Sequence, residues 1–127
     1  MGKVLVVEDD EGIRLLLCDV FRNAGYTVRI ARDGQDALTI LEHEGGFVIL
    51  LDMRLPKISG LEVIRWLEEH PKLAEANTII AMSAEWASQQ NTPSPSSALV
   101  RASFSKPFDL EEVLSLVQTH APKLHSW

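Results

Sequence analysis

Short apolar runs of strand length alternate with helical patterns along this chain, and the alternation leaves few possible folds. The apolar runs are residues 4–7, 27–31, 47–51, 78–82 and 102–105. A continuous apolar run is typical of a strand that is buried on both faces of a parallel sheet. Because parallel strands are joined by right-handed crossover connections, the sequence predicts an α/β fold with a doubly wound, five-stranded parallel sheet.

The segments between these runs carry apolar residues at helical spacing, and cap residues mark where the helices begin. The expected starting residues are Asp10, Asp33, Ser59 and Asp109. Glycine or proline ends each of the first three helical patterns, at Gly25, at residues 45–46 and at Pro71.

One stretch departs from the pattern, at the place of the helix between the fourth and fifth strands. Residues 88–97 are polar, contain two prolines and show no apolar periodicity. Proline costs about 3 kcal/mol in a helix interior, so no regular helix is expected to cross this stretch. This fourth crossover helix is therefore predicted to be shortened or irregular, either as a mobile loop or as a short turn of helix at either end.

Composition and charge limit the classes of protein to which the chain can belong. The 127 residues, of which 46% are hydrophobic and 24% charged, fit a single globular domain covering residues 1–127. The net charge of -6 disfavours direct nucleic acid binding, and no apolar run approaches the length of a membrane span. The one cysteine, Cys18, excludes an intramolecular disulfide, so a cytoplasmic protein is expected.

Chemically reactive side chains follow four of the predicted strands. Glu8 and Asp9 follow the first strand, Asp52 the third, Ser83 the fourth and Lys106 the fifth. Because the carboxyl ends of parallel strands meet at one edge of a sheet, these side chains are expected to converge. Clustered carboxylates raise each other's pKa unless a cation lies between them, and oxygen ligands suit magnesium. The sequence therefore predicts a Mg2+ site at this edge.

Four segments resemble the receiver domains of two-component response regulators, the CheY-like family. They are VLVVEDD at residues 4–10, LLDMRLP at residues 50–56 with Gly60 following, SA at residues 83–84 and SKPF at residues 105–108. Each motif is weak alone, but together they occur in the family's order and spacing across nearly the whole chain. The resemblance implies a single receiver domain with a flavodoxin-like sheet of strand order 2-1-3-4-5.

The resemblance also implies which residues bind the metal. Asp52 matches the aspartate that accepts a phosphoryl group and also contacts Mg2+. Glu8 and Asp9 match the acidic pair of the family, with Asp9 as a direct ligand and Glu8 acting through water. The backbone carbonyl of Arg54 matches a further protein ligand.

The remaining family roles concern the phosphoryl group itself. Ser83 matches the hydroxyl that turns toward it, and Lys106 matches the lysine that pairs with its oxygens, with Pro107 following after a cis peptide bond. The implied function is Mg2+-dependent phosphoryl transfer to Asp52 from a histidine kinase, a phosphotransfer protein or a small phosphodonor. Such a module promotes its own phosphorylation and dephosphorylation, which switch a protein-interaction surface.

Each of these residues also has an ordinary interpretation when it is considered alone. The acidic residues 8–10 could complement the dipole of a helix N-terminus, Asp52 could be a solvated strand end, and Ser83 and Lys106 could be turn and surface residues. Only their joint placement favours a site.

Three other functions are compatible with an α/β fold of this size and compete with the receiver. A pseudo-receiver that signals by protein contact alone is disfavoured by the intact residue set. A phosphatase or phosphotransferase with an aspartyl nucleophile usually needs a second acid just after the nucleophile, where this chain has Met53 and Arg54. A flavin-binding module is disfavoured because no phosphate-binding loop follows the first strand.

Two further expectations concern signal output and phosphate loss. Receivers usually carry an aromatic residue three positions before the lysine; here that residue is Ser103, and Phe104 is expected to face the opposite side of the strand. Arg54 and Glu85 match two positions that, in the family, flank the path of attacking water. They either form an ion pair that slows phosphate loss or act as two independent surface side chains.

Overall fold

Five strands and five helices make up the part of the protein that the computed structural model describes, residues 2–84 and 98–120. The strands are β1 Lys3–Val7, β2 Thr27–Ala31, β3 Phe47–Asp52, β4 Thr78–Ala84 and β5 Val100–Lys106. The helices are α1 Glu11–Asn23, α2 Gly34–His43, α3 Gly60–Glu68, α4 Pro71–Ala76 and α5 Leu110–His120.

All five strands pair in parallel and form one sheet with the order β2-β1-β3-β4-β5. This arrangement confirms the predicted doubly wound fold and its strand order. Val7 at the end of β1 lies opposite Ala31 and Leu51, and Asp52 at the end of β3 lies opposite Met82. The carboxyl ends of the strands therefore meet along one edge of the sheet.

Helices cover both faces of the sheet, because alternate strand residues point to opposite sides. Val4 and Val6 of β1 belong to the core beneath α1 and α5, whereas Leu5 and Val7 belong to the core beneath α2 and α3. All four side chains are fully buried, and β3 is buried along its whole length. Burial on both faces explains why these strands are continuous apolar runs in the sequence.

Polar side chains begin the helices where the sequence predicts. Asp10, Asp33 and Ser59 each accept a hydrogen bond from the backbone N–H three residues later, at 3.0, 2.8 and 3.2 Å. Asp109, just before α5, accepts one from the N–H of Glu111 at 2.9 Å. These bonds satisfy amides that have no partner inside the helix. The predicted helix starts at Asp10, Asp33, Ser59 and Asp109 are confirmed.

The structure also contains features that the apolar pattern does not predict. Helix α4 follows α3 directly, with Pro71 in its first turn, where a missing N–H costs nothing. None of its six residues is buried, so the sequence contains no apolar stripe that would predict this helix. Strand β5 is longer than predicted, and its pairing with β4 is irregular between Ile79 and Ile80.

Two of the predictions concern residues outside the described part of the chain. The irregular stretch 88–97 is one, and Glu85, the expected partner of Arg54, is the other. Within residues 2–84 and 98–120, none of the helices is both long enough and apolar enough to cross a membrane.

Candidate functional site

The carboxyl edge of the sheet carries a cavity of about 440 Å³. The residues that line it are Glu8, Asp9, Asp10, Ile13, Asp52, Arg54 and Lys106. The fold thus brings together all but one of the residues predicted for the site. The exception is Ser83, which lies in β4 beyond Met82 but is not among the residues that line this cavity.

Lys106 holds two buried carboxylates together at this edge. Its Nζ lies 3.1 Å from Oδ2 of Asp52 and 2.5 Å from Oε1 of Glu8. Glu8 is fully buried and Asp52 is only 4% exposed. Buried charges of one sign require a compensating charge nearby, which the ammonium group supplies.

Backbone amides orient the same two carboxylates. The N–H of Asp10 donates to Oε2 of Glu8 at 3.1 Å, and the N–H of Arg54 donates to Oδ1 of Asp52 at 2.9 Å. Each carboxylate therefore directs one oxygen toward Lys106 and the other toward the backbone of a loop that follows its strand.

Burial and a neighbouring carboxylate make Glu8 difficult to ionise. Its pKa is raised from 4.5 to about 7, chiefly by burial and then by Asp52, while Lys106 and the N–H of Asp10 act in the opposite direction. Burial alone would lower the pKa of Lys106, yet that pKa is raised, because Glu8 and Asp52 stabilise the ammonium form. One lysine thus leaves part of the negative charge uncompensated.

A third carboxylate completes a group that could hold a metal ion. Oxygen atoms of Glu8, Asp9 and Asp52 all lie within 4.8 Å of one another, and Asp9 is exposed to solvent. A set of carboxylate oxygens at an open cavity matches the preference of Mg2+, which retains several of its waters. A divalent cation would also offset the burial and the nearby Asp52 carboxylate that together raise the pKa of Glu8. The residues present therefore fit the predicted ion.

Close packing behind Asp52 fixes the backbone on which it stands. A Cβ atom at Gly60 would lie 2.7 Å from the carbonyl oxygen of Asp52 and 2.7 Å from Cα of Met53. Only glycine allows the start of α3 to approach the end of β3 this closely. Gly60 therefore positions the loop that carries Arg54.

Ser103, at the position where receivers usually carry an aromatic residue, and its neighbour Phe104 face opposite sides of β5, as expected. Ser103 is exposed, whereas Phe104 is buried in the core beneath α1 and α5. The ring of Phe104 packs edge-on against Phe108, with 5.2 Å between the ring centroids. An aromatic side chain at residue 104 therefore faces away from the place where receivers usually carry one.

Arg14 contacts the site, although none of the sequence motifs includes it. Its Nη1 donates to the carbonyl oxygens of Glu8 at 3.1 Å and Asp9 at 3.3 Å. The only sequence signal is its position on α1, since Arg14 shares the buried face of that helix with Leu17 and Phe21. A charged residue on an apolar helix face requires a polar partner inside the protein.

A second cavity, of about 470 Å³, lies near the starts of β4 and β5, at the opposite edge of the sheet. Asn77 is the buried polar residue in its wall, and both ends of its amide are bonded. Its Oδ1 accepts from the N–H of Phe47 at 2.9 Å, and its Nδ2 donates to the carbonyl of Leu73 at 2.7 Å. No convergence of carboxylates and lysine comparable to that around Asp52 occurs among the described residues there.

Comparison with known families agrees with the fold and with this site. Residues 4–118 match the model of the response regulator receiver domain. The chain therefore belongs to the response regulator receiver domain family and is a signalling module of two-component systems. The resemblance inferred from the four sequence motifs is confirmed.

The chain is similar to two curated proteins of Bacillus subtilis (strain 168) that differ in length. It is 30% identical over 120 residues to Sporulation initiation phosphotransferase F, with 94% of each chain covered. It is 32% identical over 120 residues to the uncharacterized transcriptional regulatory protein YkoG, of which it spans 50%. The family thus includes proteins of this length and proteins about twice as long.

Two similar solved structures contain magnesium by their own descriptions. The receiver domain of a sensor histidine kinase from Pseudomonas aeruginosa PAO1 has a magnesium ion coordinated in its active site cleft. Its TM-score is 0.81 at 27% identity, with 93% of this chain and 95% of that chain covered. The response regulator TrrA from Thermotoga maritima, in complex with Mg2+-BeF, has a TM-score of 0.75 at 26% identity, with 94% and 98% covered.

Proposed function

We propose that this receiver domain takes a phosphoryl group on Asp52 in a Mg2+-dependent reaction. The observation that carries the proposal is the convergence of Asp52, Glu8 and Lys106 at one edge of the sheet, with Nζ of Lys106 3.1 Å from Asp52. Carboxylate oxygens of Asp9 and Glu8 lie within 4.8 Å of those of Asp52, which supports a metal beside the nucleophile.

Asp52 is the nucleophile in this proposal. One of its carboxylate oxygens forms a bond to phosphorus, and the bond between phosphorus and the donor breaks. The donor atom is a histidine nitrogen of a kinase or phosphotransfer protein or an oxygen of a small phosphodonor, and it leaves with the electron pair. A histidine nitrogen then takes up a proton, whereas the acetate released from acetyl phosphate stays ionised. Hydrolysis follows when water attacks phosphorus, which returns the carboxylate and inorganic phosphate.

Lys106 and Ser83 act on the phosphoryl group. Charge spreads over its oxygens in the transition state, and a preorganised ammonium group lowers the energy of that state. Lys106 is already paired with Asp52, so it meets the incoming oxygens without a large movement. Ser83, near the end of β4, is proposed to turn its hydroxyl toward the phosphorylated aspartate and so to switch an interaction surface.

The metal is proposed to bind to Glu8, Asp9 and Asp52, with the backbone carbonyl of Arg54 as a further ligand. When bound, the ion would neutralise negative charge on the phosphoryl oxygens. The similar receiver domain with magnesium in its active site cleft supports this assignment.

The proposed partners and cellular location go beyond the family assignment. Receiver domains interact with histidine kinases or phosphotransfer proteins, and we propose a donor of that class for Asp52. We further propose that residues 1–127 form one receiver domain that acts in the cytoplasm and does not bind nucleic acid directly. The family match over residues 4–118 and the net charge of -6 support these points.

Mass spectrometry of the intact protein tests the proposal. After incubation with Mg2+ and acetyl phosphate, the wild type should gain one phosphoryl group, and Asp52→Asn should gain none. Asp19→Asn, which changes an exposed aspartate on α1, is the matched control and should be labelled like the wild type. Labelling of Asp52→Asn would move the acceptor elsewhere, and an unlabelled wild type would favour the pseudo-receiver.

A further inference from the structure

Arg14 is a buried arginine near the start of α1 to which the phosphoryl-transfer scheme assigns no role. Its side chain is 6% exposed, and it lies on the helix face that packs into the core. Within residues 2–84 and 98–120, no carboxylate lies at ion-pair distance from it. An arginine that is buried without an acidic partner is costly, so its remaining contacts must explain its presence.

The side chain of Arg14 contacts two consecutive backbone carbonyls, and the backbone N–H of the same residue contacts the next one. The backbone N–H of Arg14 donates to the carbonyl of Asp10 at 2.9 Å, and Nη1 donates to those of Glu8 at 3.1 Å and Asp9 at 3.3 Å. Residues 8–10 form the connection between β1 and α1. On its other side this connection is tied to β2, because the N–H of Glu8 donates to the carbonyl of Ala31 at 3.1 Å. The bond to Asp10 is the ordinary helix bond of this position, whereas the bonds to Glu8 and Asp9 depend on the arginine side chain.

We infer that Arg14 is a positioning residue, which holds the turn at residues 8–10 in the geometry that binds the metal. The inference rests on the proposed function, because it concerns the same Mg2+ site. The positions of the Glu8 and Asp9 carboxylates relative to Asp52 depend on the backbone dihedral angles of these two residues. The bonds from Arg14 to their carbonyls restrict those angles, and the backbone of Asp52 is fixed independently by Gly60.

The chemistry of the guanidinium group suits this role. Its donors lie in a rigid planar fork, so one side chain can reach two neighbouring carbonyls while its backbone N–H serves a third. A lysine at residue 14 would keep the charge but offer a single flexible ammonium group. A methionine would keep much of the apolar stem and donate no hydrogen bond. These two substitutions therefore separate the geometry of the donors from the presence of charge.

A purely structural role makes a different prediction. If Arg14 only stabilised the start of α1, its loss would lower the free energy of unfolding, but the folded protein would bind Mg2+ as the wild type does. A positioning role requires that the affinity of the folded protein for Mg2+ falls. Hydrogen-bonding partners of metal ligands typically change metal affinity by about 10- to 100-fold when they are removed.

Isothermal titration calorimetry with MgCl2 on the whole, metal-free chain tests the inference. Arg14→Met is expected to weaken Mg2+ binding by about 10-fold or more, and Arg14→Lys is expected to recover part of the loss. Arg22→Met is the matched control, because Arg22 is an exposed arginine at the other end of α1, and its Mg2+ affinity should equal that of the wild type. Circular dichroism establishes that each titrated sample is folded.

The outcomes separate this inference from the proposed function. Wild-type affinity in both Arg14 variants, with weakened binding in Asp9→Asn, would overturn the positioning role alone. Absence of Mg2+ binding to the wild type would overturn the proposed function, and this inference with it. If Arg14→Met does not fold, Arg14→Lys decides, since it retains a buried cation and should still bind Mg2+ less tightly than the wild type.

Discussion

Nζ of Lys106 lies 3.1 Å from Oδ2 of Asp52, although their strands, β5 and β3, are separated in the sheet by β4. The same atom pairs with Glu8, which follows β1. One ammonium group from β5 therefore contacts carboxylates at the ends of two strands, β3 and β1, that are not neighbours of β5 in the sheet. In the domain without metal it supplies the positive charge that keeps two buried carboxylates close together.

Replacement of Lys106 should lower both the free energy of unfolding and the rate of phosphorylation, and Mg2+ should restore only the first. Lys106→Met leaves Glu8 and Asp52 without a cation, and removal of one partner from a buried ion pair costs about 3 kcal/mol. Mg2+ should restore much of this loss, because it binds the same carboxylates. Phosphorylation should stay slower by about 100-fold even with Mg2+, because the phosphoryl oxygens lose a preorganised donor.

Urea denaturation with and without Mg2+, together with phosphorylation rates from mass spectrometry, measures both effects. Lys72→Met, which changes an exposed lysine on α4, should behave like the wild type in each experiment. Full recovery of the phosphorylation rate in Lys106→Met on addition of Mg2+ would show that the lysine only balances charge.

Glu8 should make the stability of the metal-free protein depend on pH. Its pKa is about 7 in the folded protein, against an ordinary value of 4.5. Between these values the folded state retains a proton that the unfolded state has lost. The free energy of unfolding should therefore fall as pH rises from about 4.5 to about 7. The contribution of Glu8 is complete below this interval and absent above it.

A comparison with Glu8→Gln isolates this contribution from those of other titrating groups. Glutamine cannot ionise, so the unfolding free energy of the wild type should decrease relative to that of the variant as pH rises through the interval. Denaturant titrations at several pH values without Mg2+ provide the measurement. Parallel curves for the two proteins would show that the pKa of Glu8 is the same in the folded and the unfolded protein.

Addition of a single methyl group at Gly60 should destabilise the protein. In Gly60→Ala the new Cβ would lie 2.7 Å from the carbonyl oxygen of Asp52, so the backbone must move. We expect a loss of about 1 to 3 kcal/mol in stability and slower phosphorylation. Gly45→Ala is the control, since a Cβ there meets only Ala76, at 3.6 Å. Equal stability of the two variants in urea denaturation would contradict the close packing at residue 60.

The place of the site was predictable from sequence, because the topology of a parallel sheet determines which strand ends meet. Asp52 and Lys106 follow apolar runs, and the structure places them at one edge as expected. The distances were not predictable. Whether Lys106 pairs with Glu8, with Asp52 or with both depends on side-chain rotamers and on the exact twist of the sheet.

Two residues show why the rest of the site was harder to predict. Arg14 binds backbone carbonyls, which every residue possesses, so no particular partner residue marks its role in the sequence. Ser83 was placed by its motif, but the register of the sheet pairs it with Ser105, and it does not line the cavity. A motif gives the order of residues along the chain and not the direction of a side chain.

Asp9 and Asp10 form a matched pair that distinguishes a metal ligand from a nearby charge. Both are exposed and line the cavity, but Asp10 also caps α1, where its Oδ1 accepts the N–H of Ile13 at 3.0 Å. Asparagine is as good an N-cap as aspartate, so Asp10→Asn removes only the charge. Asp9→Asn removes a charge and a carboxylate ligand together.

Calorimetric titration with MgCl2 should therefore rank these two variants clearly. We expect Asp9→Asn to weaken Mg2+ binding by about 10-fold or more, which corresponds to about 1.4 kcal/mol. Asp10→Asn should weaken it by about 2-fold at most at physiological salt, because the attraction between exposed charges is screened. Both variants should unfold at nearly the same urea concentration as the wild type. Equal loss of affinity in the two variants would mean that Asp9 contributes only its charge and is not a ligand of the ion.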